Sequence, residues 1–431
     1  MTRSQCTILF AVLATGYLGC GVTPPEAADT MVVRSALTGN IVISGRVTDP
    51  SGGGLSNVTV TLAGSASKSQ QTTATGAYSF GSLAAGSYSV RPTRTSCAFS
   101  PDVVNLNNLK SSVTRNFVGS GSGCAAAPPV TVTPITRKFM SLIYNPIIES
   151  QGGARLVTLR GWNNPDALTT QYVADLATAS HNLANYVAGP RVELDAYPVK
   201  EDGFQYTDAT FLACLDNVAN CHKPGQEMGF GYAIDYLAML NSQNVCARFN
   251  AGEFDELWMF GAPFMGFWEA NQAGSQAINT NGPIVAGTTC QGRLNILGFA
   301  YHVGVANMLH DYGHRIEGTM QTLLPNGGGL FNEFTRSDLF NPGQAQCGRT
   351  HFTPTSAFEY EYNNARNVTS SCDDWVNYPN RTGATTTISC NAWGCDERQY
   401  HIWWMQHLPH VAGVFSDGSS NNWWTYILAR Q

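Results

Sequence analysis

Charge is the scarcest property of this 431-residue chain. Only 13% of its residues are Asp, Glu, Lys or Arg, about half the usual ~25%, which excludes a disordered, charge-rich protein and a coiled coil. Its 24 basic residues are outnumbered by 30 acidic ones, so no nucleic-acid partner is expected. Beyond the N-terminus no apolar run reaches the ~18 residues of a membrane-spanning helix. No cysteine pair has the Cys-x-x-Cys spacing of a zinc ribbon or a thiol redox motif. Histidine and tryptophan are missing from the first 134 residues; all nine of each lie beyond. No internal repeat is present.

Apolar residues, by contrast, make up 43% of the chain, enough for sizeable cores, and the length predicts two or three domains. The first twenty residues carry Arg3, an apolar run from Thr7 to Leu18, and Gly19-Cys20. By length and flanks this is a secretory signal, and Leu18-Gly19-Cys20 resembles the lipobox of bacterial lipoproteins. The expected location is therefore secreted or cell-surface, with a lipid anchor at Cys20. Apart from Cys6 and Cys20, ten of the twelve cysteines remain, an even number that suits disulfides in an oxidising compartment. Proximity suggests Cys97–Cys124, Cys214–Cys221, Cys246–Cys290, Cys347–Cys372 and Cys390–Cys395.

Residues 40–118 read as short alternating strands broken by turns. Gly45-x-Val47-x-Asp49 and Gly76-x-Tyr78-x-Phe80-x-x-Leu83-x-x-Gly86-x-Tyr88 resemble the carboxypeptidase regulatory-like, or transthyretin-like, domain. The resemblance implies a small all-β sandwich with Tyr78, Phe80, Tyr88 and Val90 on its buried face, serving as a stalk rather than a catalyst. Residues 119–134, rich in Gly, Ser, Ala, Pro and Thr, read as a linker. Residues 135–431 follow, with 16 basic and 26 acidic residues, a formal −10.

In that second module strand-like and helix-like segments alternate. Phe139–Tyr144, Arg191–Asp195, Glu256–Phe260 and Leu294–Phe299 read as strands. Asp166–Tyr186, Asp208–Asn217, Tyr232–Asn241 and Tyr301–Met320 read as helices. The pattern predicts an α/β domain with a mainly parallel sheet. From Leu323 onward little periodicity remains, and long disulfide-pinned loops are expected.

The segment Tyr301–Glu317 is the most informative. At about 100° per residue, His310, His314 and Glu317 share one arc of about 60°, close to His302, while Val305, Met308, Leu309, Tyr312 and Ile316 share the opposite face. Two imidazoles four apart can reach one metal ion from one helical face. His310-Asp311-Tyr312-Gly313-His314 resembles the zincin His-Glu-x-x-His motif, and Asn332-Glu333-Phe334-Thr335-Arg336-Ser337-Asp338 resembles the downstream segment of gluzincin metallopeptidases. That likeness implies His310, His314 and Glu333 as zinc ligands and Asp311 as the base. Two other readings stand beside it: structural histidines bonded to neighbouring loops, and a metal-free acid/base pair of His314 with Glu317.

A second constellation lies at Asp255–Glu269. In an α/β sheet, loops at the carboxyl ends of strands form the site, so Glu269 is a candidate pocket carboxylate, expected to face His302. Paired with Glu317 or Glu333 and with tryptophans stacking on sugars, it would suit glycoside hydrolysis. Trp375, Trp393, Trp403-Trp404 and Trp423-Trp424 enrich the last third, and one or two are expected to line the pocket. His351, His401, His407 and His410 have no mutual spacing that compels a role. Asp255-Glu256-Leu257-Trp258, Gly313-His314-Arg315, Asp374-Trp375-Val376-Asn377-Tyr378-Pro379-Asn380 and Asn421-Asn422-Trp423-Trp424-Thr425-Tyr426 also resemble secreted bacterial domains without assigned function. The expectation is an exported hydrolase, zinc-dependent and peptidase-like, acting on an extracellular peptide or polysaccharide. The alternatives are a metal-free glycoside hydrolase and a non-catalytic polysaccharide-binding lipoprotein.

Overall fold

The computed structural model describes residues 39–50, 52–73, 75–124, 132–223, 233–324, 328–379, 381–414 and 419–430. The signal segment and Cys20 therefore lie outside the described residues. No helix among the described residues is long and apolar enough to cross a membrane.

Residues 41–120 form the expected two-sheet sandwich. One sheet orders Ala77–Leu83, Ile41–Thr48, Phe117–Ser120 and Ala98–Ser100, with Val113–Thr114 also beside Ile41–Thr48; the other orders Lys68–Gln71, Thr59–Gly64, Gly86–Thr93 and Val104–Leu109. Period-two alternation places Tyr78, Phe80, Tyr88 and Val90 in the core between the sheets. The strand Phe117–Ser120 and the Cys97–Cys124 bridge carry this module six residues past the boundary expected at 118.

The second module is built on a six-stranded sheet. Its strands are β1 (Ile135–Tyr144), β2 (Ala184–Leu194), β3 (Glu256–Gly261), β4 (Ala270–Ala273), β5 (Ile284–Val285) and β6 (Leu294–Ala300), in the order β2-β1-β3-β6-β4-β5. The run β2-β1-β3-β6 is parallel, whereas β4 lies antiparallel to β6 and parallel to β5. The sheet is thus mixed, because the chain doubles back after Gly261 and lays β4 against β6. Strands β3 and β6 are mostly apolar and buried along almost their whole length because both faces are covered.

Three helices matter for the site: α1 (Pro165–Ala179), α2 (Val305–Leu323) and α3 (Glu397–Gln406). Helix α1 is shorter than its sequence pattern. Asn164 caps its start by accepting from the Asp166 and Ala167 amides. Left-handed φ values of 53° at His181 and 63° at Asn182 end it, and the apolar residues that follow begin β2.

Helix α2 is anchored to the sheet by an ion pair that burial makes costly to break. Arg315, on α2, places its two terminal nitrogens 2.7 Å from the carboxylate of Glu256, the first residue of β3. Tyr186 donates its hydroxyl to Glu256, and Arg315 also donates to the Ile427 carbonyl. Burial opposes the charge on Arg315, but Glu256, Tyr186 and Tyr312 outweigh it and hold the guanidinium proton more tightly than usual. Two of the sequence segments singled out above, Asp255–Trp258 and Gly313–Arg315, therefore meet across this pair.

All ten paired cysteines bridge as proximity suggested. The region after Leu323 is largely irregular, with only short helices besides α3. Most of its tryptophans are core residues, and Trp403 is partly buried. Trp375, Trp404, Trp423 and Trp424 are fully buried and Trp393 nearly so; Trp375, Trp404 and Trp423 pack on Phe334, and Trp393 packs on Tyr400 and Trp403. With few helices and strands to cover that flank, large rings are what fill its core.

Candidate functional site

His310 and His314 project from one face of α2, as their spacing requires, and a third histidine joins them from outside the helix. His351 stands in a tight turn, closed by hydrogen bonds from the Arg349 amide to the Phe352 carbonyl (2.8 Å) and from the Phe352 amide back to Arg349 (3.0 Å). The three Nε2 atoms converge, at 3.1 Å for His310–His314, 3.0 Å for His314–His351 and 3.2 Å for His310–His351.

The turn reaches the helix because residue 313 has no side chain. A Cβ on Gly313 would lie 2.6 Å from Thr350 Oγ1. The Thr350 amide donates to Glu317 Oε1 at 2.9 Å and its carbonyl accepts from the Tyr362 hydroxyl at 3.0 Å. Glycine normally costs a helix interior about 1 kcal/mol; here it is what lets Thr350 and His351 approach.

The outward ring nitrogens settle the tautomers. His314 Nδ1 faces Glu317 Oε2 at 3.0 Å and His351 Nδ1 faces Glu359 Oε1 at 2.7 Å. A carboxylate can only accept, so both Nδ1 atoms carry the proton. His310 Nδ1 lies 3.3 Å from the Tyr362 hydroxyl, which gives its own proton to Thr350 and so accepts here. With all three rings neutral, the three Nε2 atoms present lone pairs to one point. Burial, followed by the neighbouring histidines, pushes the His310 pKa down to about 2 and keeps that ring neutral. Burial also opposes the charge on His314, but Glu317 and Glu269 overcome it and raise its pKa.

Three lone pairs about 3 Å apart repel unless a cation lies between them. A tetrahedral ion about 2.05 Å from each nitrogen needs edges of about 3.3 Å, within a few tenths of those observed. Both the donor set and the carboxylate-to-imidazole contacts behind it suit a zinc ion with one position open. Glu269 borders that position, with Oε2 3.4 Å from His314 Nε2 and Oε1 4.0 Å from His310 Nε2. Asn281 donates to the same carboxylate at 2.8 Å. Glu397 lies on the other side of the His310 ring, 3.9 Å from its Nδ1, and the exposed ring of Tyr360 lies 4.4 Å from that of His351.

Of the residues singled out in the sequence, the structure brings together His310, His314, Glu317 and Glu269. Glu269 faces His310 and His314 rather than His302, an exposed residue whose ring packs on Trp162. Asp311 makes no hydrogen bond to the three imidazoles. It is fully buried, its nearest polar partner is Asn307 at 3.5 Å, and burial, with Glu269 and Glu397, drives its pKa well up. It is one residue on from His310, about 100° around the helix, which turns it into the packed side. Glu333 sits in the short helix Gly329–Phe334 and pairs with Arg381 at 2.8 Å; the third nitrogen comes from His351 instead. Glu317 has both oxygens committed, one to His314 and one to Thr350.

Among curated proteins none matches this sequence significantly. Two solved structures resemble small parts of it. The Bacillus anthracis TIE protein is 13% identical over 19% of this chain and 16% of its own, with a TM-score of 0.17. A streptococcal ancillary pilin is 14% identical over 18% of this chain and 31% of its own, also at 0.17. Residues 42–123 match the family model of the carboxypeptidase regulatory-like domain. The N-terminal sandwich is a carboxypeptidase regulatory-like domain.

Proposed function

We propose that residues 135–431 form a zinc-dependent, peptidase-like hydrolase with His310, His314 and His351 as ligands and Glu269 as general base. The observation that carries this reading is the tautomer set: three Nδ1 protons tied outward and three Nε2 lone pairs aimed inward. When bound, the ion supplies Lewis acidity and makes a water acidic enough to lose a proton near neutral pH. The chain's own residues do the rest. Glu269, part-exposed beside the open position, takes that proton on a carboxylate oxygen and returns it to the leaving group. Glu317, Glu359 and Tyr362 hold the three imidazoles in one tautomer and orientation. Five disulfides support an exported protein, with the N-terminal sandwich as its stalk and an extracellular substrate.

A glycoside hydrolase built on Glu269 and Glu317 has less support, because both Glu317 oxygens are already engaged. The test is elemental analysis of the purified chain after dialysis against zinc. About one zinc per chain, lost in His351→Ala with the fold retained, is expected. A chain that takes up no metal overturns the reading.

A further inference from the structure

Beside the cluster, on the His351 side, lies a polar cavity of about 250 Å³ lined by His314, Glu317, Asn332, Arg349, His351 and Glu359 among others. Its charged groups differ in how they are employed. Glu317 accepts from His314 and from the Thr350 amide, and Glu359 accepts from His351. Arg349 is different. Among the described residues no carboxylate lies within ion-pair distance of its guanidinium, and its side chain donates no hydrogen bond. Arg315, Arg366, Arg381 and Arg398 each stand 2.7–2.8 Å from a carboxylate, and Arg137, Arg293 and Arg336, which pair with none, each donate to a neutral oxygen.

Arg349 is an exposed residue whose guanidinium lies against two aromatic rings. Its Cζ lies 4.8 Å from the Phe352 ring centroid and 5.1 Å from that of Phe340. Aromatic contacts of this kind fix a guanidinium while leaving its N–H groups available to a planar acceptor. Arg349 also belongs to the same four-residue turn as His351, and the Tyr400 hydroxyl donates to the Arg349 carbonyl at 3.0 Å. The free cation and the third imidazole are therefore carried by one hydrogen-bonded turn.

We infer that this cavity is the anchoring subsite of the substrate and that Arg349 receives a carboxylate there. The inference rests on the zinc-hydrolase reading and adds a substrate class: molecules with a free carboxylate a few bonds from the bond that is cut. An arginine fork matches a carboxylate with two parallel hydrogen bonds. The cavity falls below the ~300–1,000 Å³ of drug-sized sites, so it suits a short carboxylate arm rather than a bulky side chain.

The test uses the full chain loaded with cobalt(II), whose visible absorption reports ligands entering the metal's open position. Hydroxamates carrying two to four methylenes and ending in a carboxylate are titrated against the matching carboxamides. At the best spacer the carboxylate is expected to bind at least tenfold more tightly than its carboxamide. Arg349→Gln should cut that ratio below twofold while leaving the spectrum of the probe-free protein unchanged. Equal binding of the two series by the unmodified chain, or a preference that survives in Arg349→Gln, overturns the inference and leaves the metal site standing. Absence of a cobalt spectrum overturns the metal reading, and this inference falls with it.

Discussion

Replacing Gly313 by alanine tests whether the approach of the turn to α2 builds the cluster. The new Cβ would stand 2.6 Å from Thr350 Oγ1 and 3.2 Å from its Cγ2, roughly 0.8 Å short of ordinary contact. Thr350 is fully buried and its amide and carbonyl are both bonded, so it yields only by moving the turn that bears His351. Overpacking costs about 1–3 kcal/mol, and alanine returns about 1 kcal/mol of helix propensity, so stability falls by no more than about 2 kcal/mol. Zinc affinity is expected to fall more distinctively, by about 10–100-fold, the usual result of disturbing a ligand's support. Competition against a chromophoric chelator measures the affinity, and urea unfolding measures the stability. Thr350→Ala in the same chain leaves only a 3.5 Å contact to Cβ, so the double variant should regain most of the zinc affinity. A Gly313→Ala chain that binds zinc as tightly as its parent refutes the argument.

Glu359→Gln and Glu317→Gln should each weaken zinc binding by about 10–100-fold, because an amide no longer fixes the Nδ1 proton; unchanged dissociation constants would remove the tautomer argument. Glu269→Gln should keep stoichiometric zinc while lowering hydrolysis of a responsive substrate by about 10²–10⁴-fold, and loss of the metal would recast Glu269 as a ligand. Zinc uptake should release a proton near neutral pH: the His314 pKa is raised above 6.5 without metal, its neutral form binds zinc, and affinity therefore falls as pH drops through that value. Calorimetry at pH 6.5 in buffers of different ionisation enthalpy checks this, and identical heats would contradict it. Arg315→Met leaves Glu256 charged and buried without its partner and should cost about 3–5 kcal/mol in urea unfolding; a loss under about 1 kcal/mol would show that the pair anchors nothing.

Local pattern carried much of this structure. Strict alternation marked the sandwich, mostly apolar runs marked β3 and β6, and the two-sided helix carrying His310, His314 and Glu317 was legible from its period. Sequence proximity was enough for all five disulfides. The third imidazole was not legible, since His351 comes from an irregular turn 37 residues beyond His314, where no period relates it to α2. Glu359 and Tyr362 were hidden for the same reason. One trace was available: a glycine inside the histidine helix implies that something packs there. The downstream Glu333 motif has a ligand's spacing, whereas in the structure its carboxylate pairs with Arg381. For the tryptophans, composition cannot tell a stacking surface from a core assembled out of loops. Strand β4 escaped notice because four residues hold too little pattern to show that the chain doubles back.

The bridge between Cys347 and Cys372 has a consequence for the order of maturation. Cys347 opens the segment that delivers His351, and its sulfur ties that segment to the Trp375 core. With the thiols reduced, two imidazoles are already displayed on α2, but the third is tethered only by non-covalent contacts. On the zinc reading proposed above, oxidation would precede metal capture, so a reduced chain would take zinc poorly and the complete cluster would belong to the folded, oxidised protein.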